Sequence, residues 1–232
     1  MTARGDRTVR GDSRNGAAPR LGTVRHPLFA RFYARLAPVL DVRAGIGAHR
    51  AELLTGLSGR VVEVGAGSGL NFPLYPAGVR EVVAVEPEPR LRRAAVDAAR
   101  KAAVPISVVP GLAEALPAAD GEFDAAVVSL VLCSVRDPDR ALAELRRVLR
   151  PGGELRFYEH VRAAGPAGAA LQRALDRTVW PRLFGGCHTG RDTVAAIGAA
   201  GFVSVSHRRL RVPEGGVPTP VSAHVLGSAR RP

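Results

Sequence analysis

Arg60-Val61-Val62-Glu63-Val64-Gly65-Ala66-Gly67-Ser68-Gly69 reads as a short β-branched strand that runs into a loop of three glycines. Glycine tolerates positive φ and lets backbone approach a ligand without a Cβ in the way. A helix is expected after it, and then a second strand, Val82 to Val85. Glu86 closes that strand 21 residues after Gly65. A doubly wound nucleotide site places an acid there to accept hydrogen bonds from ribose hydroxyls. Strand, glycine loop, helix, strand and acid in that order point to a ligand outside the carboxyl ends of a parallel sheet.

Downstream the same rhythm continues. Ile106 to Val109, Phe123 to Val131 and Glu154 to Tyr158 read as strands, and the segments between them as helices. Glu88 to Arg100 is one of these. Asp137 is a good N-cap with Pro138 at the first helical position, and Leu142, Leu145, Val148 and Leu149 form an apolar stripe. Pro151-Gly152-Gly153 stops that helix. Residues 191–200 read as a late helix, followed by strands at Val203 to Leu210 and Ala223 to Leu226. Alternating strands and helices imply right-handed crossovers and a parallel sheet. Upstream, Leu28, Phe29, Phe32, Tyr33, Leu36 and Leu40 recur at helical spacing, and a second helix is expected from about Ile46 to Leu54. Residues 1–20 are polar and aperiodic, which reads as a disordered basic tail.

Composition narrows the classes. The 232 residues suit one α/β domain with additions, and 46% hydrophobic residues supply a core. The formal charge is +12, nearly all of it Arg, because Lys101 is the only lysine. The first twenty residues carry +3 of it, and +9 remains on the rest. Such a surface favours weak contact with anionic surfaces. It lacks the aromatic-interleaved basic motif of nucleic-acid readers, so no specific nucleic acid is expected. Two cysteines, Cys133 and Cys187, make no disulfide framework. With no apolar leader and no run near the ~20 residues that span a bilayer, a cytoplasmic protein is expected.

The runs VVEVGAGSGLNF (61–72), VVAVEPEP (82–89), GLAEALPAADGEFDAAVVS (111–129) and RVLRPGGELRFYEH (147–160) resemble the small-molecule S-adenosylmethionine (SAM)-dependent methyltransferases of class I. The resemblance implies an α/β fold: a doubly wound, mostly parallel, seven-stranded Rossmann-like sheet with an N-terminal helical cap. It divides residues 21–232 into that cap (21–58), a SAM-binding core (59–160) and an acceptor-side lid with the C-terminal strands (161–232). SAM is the implied cofactor and a small molecule the acceptor. Glu63, Gly65, Gly67 and Gly69 would meet the methionine part, and Glu86 with Pro87 the ribose. Leu112 and Ala113 would border the adenine, and Ser129 would complete the cofactor set. Many relatives carry Asp where Leu112 stands, which leaves backbone groups or Glu114 to serve the adenine amino group.

A narrower likeness runs through Ser129-Leu130-Val131-Leu132-Cys133-Ser134-Val135, Glu159-His160-Val161, Leu171-Gln172 to Asp176 and Trp180. It continues through Gly186-Cys187 with Thr189 and Arg191, and through His224-Val225-Leu226-Gly227. These segments resemble thiol S-methyltransferases of the mammalian microsomal type. A thiol acceptor is therefore favoured. Quinone, phenol or lipid-amine methylation, an RNA-directed methyltransferase and a non-catalytic SAM-binding protein stay open. His160, just past a strand's carboxyl end, is the first candidate for a base or an acceptor-orienting group. Cys187 and His188, after a Gly-Gly turn in the lid, are the next. Glu159 is expected to point away from His160, because strand side chains alternate. Cys133 reads as a small core residue or a substrate contact. Trp180, Phe184 and Phe157 read as packing or as the wall of an apolar pocket. Cys187, His188 and His160 are zinc-ligand types, but their spacing matches no familiar motif, so no metal is expected.

Overall fold

The computed structural model describes residues 41, 43–178 and 180–232. The expected tail and the helical stripe from Leu28 to Leu40 lie outside them. Helix α1 (Ile46–Leu54) leads into β1 (Gly59–Val64). A short 3-10 turn (Phe72–Leu74), β2 (Val79–Val85), α2 (Pro89–Ala99) and β3 (Ile106–Val109) follow. Next come β4 (Phe123–Ser129), α3 (Pro138–Val148) and β5 (Leu149–His160). Helices α4 (Pro166–Asp176), α5 (Trp180–Leu183) and α6 (Thr193–Ala199) precede β6 (Val203–Arg211) and β7 (Ala223–Arg230).

The strands form one seven-stranded sheet in the order β3-β2-β1-β4-β5-β7-β6. Strands β1 to β5 run parallel, and β7 is antiparallel to both β5 and β6. The order reverses between β1 and β4, which is where a doubly wound sheet opens a crevice for ligand. Side-chain alternation builds a core on each face. Val62, Val64, Ala126 and Val128 face the helices α3 and α6. Val61, Ala125 and Val127 face α1, α2 and the 3-10 turn.

Asp137 caps α3 as the sequence reading expects, and Glu88, read there as helical, caps α2 instead. Asp137 accepts from Arg140 N at 3.0 Å, and Glu88 accepts from Arg90 N and Leu91 N at 2.7 and 2.8 Å. Two other boundaries differ from expectation. Strand β4 ends at Ser129 rather than Val131, because Leu130 turns to φ 61 while donating its N–H to Tyr158 O at 2.7 Å. Pro151-Gly152-Gly153 does not separate helix from strand. It lies within β5 as an irregularity between Phe123 and Ala125 of its partner, with Gly152 at φ 76.

Gly227 shows why a strand interior needs a glycine here. It pairs with Phe157 on one side and His207 on the other. A Cβ at that point would stand 2.3 Å from Ser206 O and 2.7 Å from both His207 Cβ and Phe157 Cζ. Gly227→Ala is expected to cost about 2–3 kcal/mol of stability, read as a lowered midpoint in urea denaturation. An unmoved midpoint would contradict this packing.

Candidate active site

The carboxyl ends of the parallel strands open into one cavity of about 940 Å³, in the size range of small-molecule sites. One end is built by the glycine loop and the turns after β2 and β3. Gly65, Gly67, Glu86, Pro87, Leu112 and Ala113 line it. The loop is held by the protein's own contacts. Gly65, Gly67 and Gly69 sit at φ 70, 58 and 83. A Cβ on Gly65 would meet Val131 Cγ2 at 2.6 Å, and one on Gly69 would meet the Phe72 ring at 2.7 Å. Glu86 Oε2 accepts from Gly67 N at 2.8 Å, and Oε1 accepts from Glu88 N at 2.9 Å. Burial pushes the Glu86 carboxyl up to about 7 against these two donors.

Glu63 and Gly69 are not in the cavity wall. Glu63 shares its face of β1 with Val61 and is 2% exposed. Its oxygens accept from Asn71 Nδ2 at 2.8 Å and Tyr75 Oη at 2.7 Å. Glu63 thus braces the segment after the loop from behind. Ser129 does line the cavity, and its hydroxyl accepts from Arg50 at 3.0 Å. Arg50 also donates to Asn71 Oδ1 at 3.0 Å and Asp41 Oδ1 at 2.8 Å while 5% exposed. The sequence reading passed over this cation on the cavity wall. Its signal was one arginine in the otherwise unremarkable helix α1. Glu114 lines the cavity too, but its Oε1 accepts from Arg136 N and Asp137 N at 2.9 and 3.3 Å.

The other end is assembled from four separate segments. His160 ends β5, Cys133 follows β4, Cys187 comes from the turn after α5, and His224 begins β7. Glu159, fully buried, points away from His160 as expected. Its carboxylate accepts from Val131 N at 2.9 Å, Leu132 N at 3.0 Å and Cys133 N at 3.3 Å. Gly185 and Gly186, at φ 62 and 90, fold the next loop onto that turn. His188 N donates to Cys133 O at 2.7 Å, and Arg191 reaches Leu132 O and, at 2.8 Å, Val135 O. Asp176 accepts from Thr189 N at 2.7 Å and Gly190 N at 3.0 Å. Gln172 directs its amide nitrogen to the carbonyls of Val161, Thr189 and Pro220. Asp176, Thr189, Arg191 and Gln172 are therefore the frame of this end.

That frame brings Cys187 Sγ to 3.6 Å from His160 Nδ1. Hydrogen bonding to Cys187, with burial, pushes the Cys133 thiol up, and the same contact pulls the Cys187 thiol down. His188 turns the other way. Its Nδ1 lies 2.8 Å from Gly186 O and 3.4 Å from Arg191, and it is absent from the cavity wall. His224 stacks on Tyr158 at 5.2 Å and meets the His160 ring edge at 4.5 Å. Among the described residues its buried Nε2 has no hydrogen-bond partner, and burial lowers its pKa to about 3, so the ring is neutral. Trp180 stacks on Phe184 at 4.1 Å, and both line the cavity together with Val212, Pro213 and Val221. Phe157 is fully buried packing.

Comparison with known proteins identifies the family. Residues 62–157 match the family model described as a methyltransferase domain. The chain is 36% identical over 182 residues to the human thiol S-methyltransferase TMT1B, an alignment that covers 76% of this chain and 73% of the relative. The chain belongs to the class I SAM-dependent methyltransferases. Within them it stands close to the thiol S-methyltransferases. It is also 32% identical over 218 residues to the ubiquinone/menaquinone biosynthesis C-methyltransferase UbiE of Syntrophotalea carbinolica, covering 82% of this chain and 91% of that one. A crystal structure of a SAM-dependent methyltransferase from Thermotoga maritima shares the fold. Its TM-score is 0.65 at 24% identity, covering 88% of this chain and 99% of that chain. This methyltransferase uses SAM and acts on a small-molecule acceptor. Among the described residues, no helix is long and apolar enough to cross a membrane.

Glu63 yields a pH prediction for the ligand-free protein. Burial raises its carboxyl to about 7 in the folded state from the ordinary 4.5. Its contribution to stability is complete below 4.5 and is lost as pH rises through 7. The stability of the wild type relative to Glu63→Gln should thus fall between pH 5 and 8, by on the order of 3 kcal/mol. Paired urea titrations across that range check it, and a pH-independent difference would contradict it.

Proposed function

We propose that this methyltransferase moves the methyl group of SAM to the sulfur of a small apolar thiol. The observation that carries the reading is the division of one cavity into two unlike ends. Glu86 and the glycine loop make a polar donor end. Trp180, Phe184, Val212, Pro213 and Val221 make an apolar acceptor end, where Cys133, His160 and Cys187 are gathered. The cofactor, when bound, supplies an electrophilic methyl on a sulfonium, and the reaction is an in-line displacement.

The protein's task is positioning. Glu86, already holding Gly67 N and Glu88 N, has lone pairs left for ribose hydroxyls. The backbone of Gly111 to Ala113 borders the adenine, with Leu112 as an apolar wall. Arg50, held by Asp41, Asn71 and Ser129, is a cation on the cavity wall. At the acceptor end the stacked aromatic pair lines the cavity, and His160 orients the incoming sulfur. A thiol with pKa near 8.5 needs little help to ionise, which suits an end with a neutral His224. The likeness to TMT1B supports sulfur as the methylated atom. The likeness to UbiE keeps a quinol ring carbon as the second reading.

The test is release of S-adenosylhomocysteine from SAM with alkyl thiols, phenols, quinols and amines. Turnover is expected on thiols. Glu86→Gln keeps an acceptor for Gly67 N but loses the charge, and should weaken SAM binding by about 10–100-fold in calorimetry. Turnover confined to quinols would transfer the assignment to the second reading. A protein that binds SAM and methylates nothing in the panel would refute both.

A further inference from the structure

We propose that Cys133, His160 and Cys187 are three ligands of a zinc ion whose fourth position faces the cavity and receives the acceptor as a thiolate. The inference rests on the thiol reading above and gives it a chemistry. The ligand atoms of the three residues all lie within 4.8 Å of one another. Zn–S bonds near 2.3 Å and Zn–N bonds near 2.0–2.1 Å put the edge of a zinc tetrahedron at about 3.6 Å. The Cys187 Sγ to His160 Nδ1 separation is 3.6 Å, so that edge is already formed.

The three groups also arrive from different parts of the chain, each on a backbone fixed by other contacts. Glu159 holds the N–H of Cys133, and Cys133 O holds the N–H of His188 next to Cys187. His160 pairs with His224 of β7 at the end of β5. Two thiols and an imidazole converge at the wall of a cavity that all three line. Two cysteines and one histidine with an open fourth site is a donor set that catalytic zinc uses, whereas structural zinc sites close all four.

The charges work out in favour of sulfur chemistry. Two cysteine thiolates neutralise Zn²⁺. An acceptor R–SH that takes the fourth position gives its proton to solvent and binds as R–S⁻, because coordination deprotonates a thiol outright. The added negative charge resides on the nucleophile. In the transfer, the bond from methyl carbon to sulfonium breaks, and its electron pair goes to the sulfur of S-adenosylhomocysteine. A new carbon–sulfur bond forms from the thiolate. The product is a neutral thioether, a weak ligand that leaves the metal. A phenol or an amine gains less from this soft centre. His160 then orients the acceptor through the metal.

The experiment uses the full chain, stripped with a chelator and reloaded with Zn²⁺ or Co²⁺ alone. One zinc per chain by elemental analysis is expected, and a thiolate-to-cobalt charge-transfer band in the Co²⁺ form. Cys133→Ser and Cys187→Ser should weaken metal binding by more than the ~10–100-fold that loss of an outer-shell partner costs. SAM binding by calorimetry would show that both variants are folded. His188→Gln should keep the metal. An alkyl thiol should shift the cobalt band, and a phenol should not. Wild-type protein that binds SAM but takes up no Zn²⁺, or whose Cys133 and Cys187 form a disulfide in its place, overturns the site. Full thiol turnover by the stripped protein overturns the metal's role and leaves the thiol reading intact. A cobalt band that no thiol shifts overturns the open-vertex role, and the acceptor panel then tests the thiol reading separately.

Discussion

The acceptor end depends on one buried carboxylate. Glu159 is fully inaccessible and receives three consecutive N–H groups, those of Val131, Leu132 and Cys133. Those donors belong to a turn that leaves β4 through a left-handed Leu130 and could not satisfy itself in regular structure. By capturing them, Glu159 ties the end of β5 to the exit of β4. The Gly185–Gly186 loop then has a fixed surface to dock on, and Arg191 secures it through the carbonyls of Leu132 and Val135. Burial raises the Glu159 carboxyl, and the backbone donors oppose that rise. A buried carboxylate retained against its desolvation cost points to a demand for geometry.

Arginine plays a comparable structural part across the molecule. Arg147 joins Glu144 and Asp120 and also reaches the carbonyls of Leu116 and Ala118. Arg92 binds the carbonyls of Glu86 and Pro87 behind the donor end. Arg231 binds those of Arg147 and Leu149. The planar fork of guanidinium suits such carbonyl clamps. Part of the basic composition is therefore spent inside the fold, on joining segments that the sheet alone would leave apart.

The donor end was legible in the sequence because its parts are near in the chain and follow a fixed order. The loop, the strand after it and Glu86 lie within one βαβ unit, and strand periodicity places them on one side of the sheet. Glu63 shows the limit of reading by proximity. It adjoins the loop, yet strand alternation sends its side chain behind the wall to Asn71 and Tyr75. Cys133, His160 and Cys187 are 27 residues apart at each step, with no periodicity to join them. Their meeting depends on Glu159, on two left-handed glycines and on Arg191. For the same reason His188, next in line to Cys187, could be expected in the cavity and is found facing the Gly186 carbonyl. Arg50 was illegible because helix α1 has no sharp apolar face to show which of its residues turns inward.

The two ends differ in how freely they can change over generations. Glu86 holds the glycine loop through Gly67, and that loop follows β1, a central strand of the sheet. Substitutions there disturb the core and the cofactor together. The wall residues Trp180, Phe184, Val212, Pro213 and Val221 belong instead to peripheral loops and a four-residue helix. Their packing can be remodelled while Glu159 and Arg191 keep the frame intact. One scaffold can thus drift among acceptors of different bulk while its methyl donor stays the same.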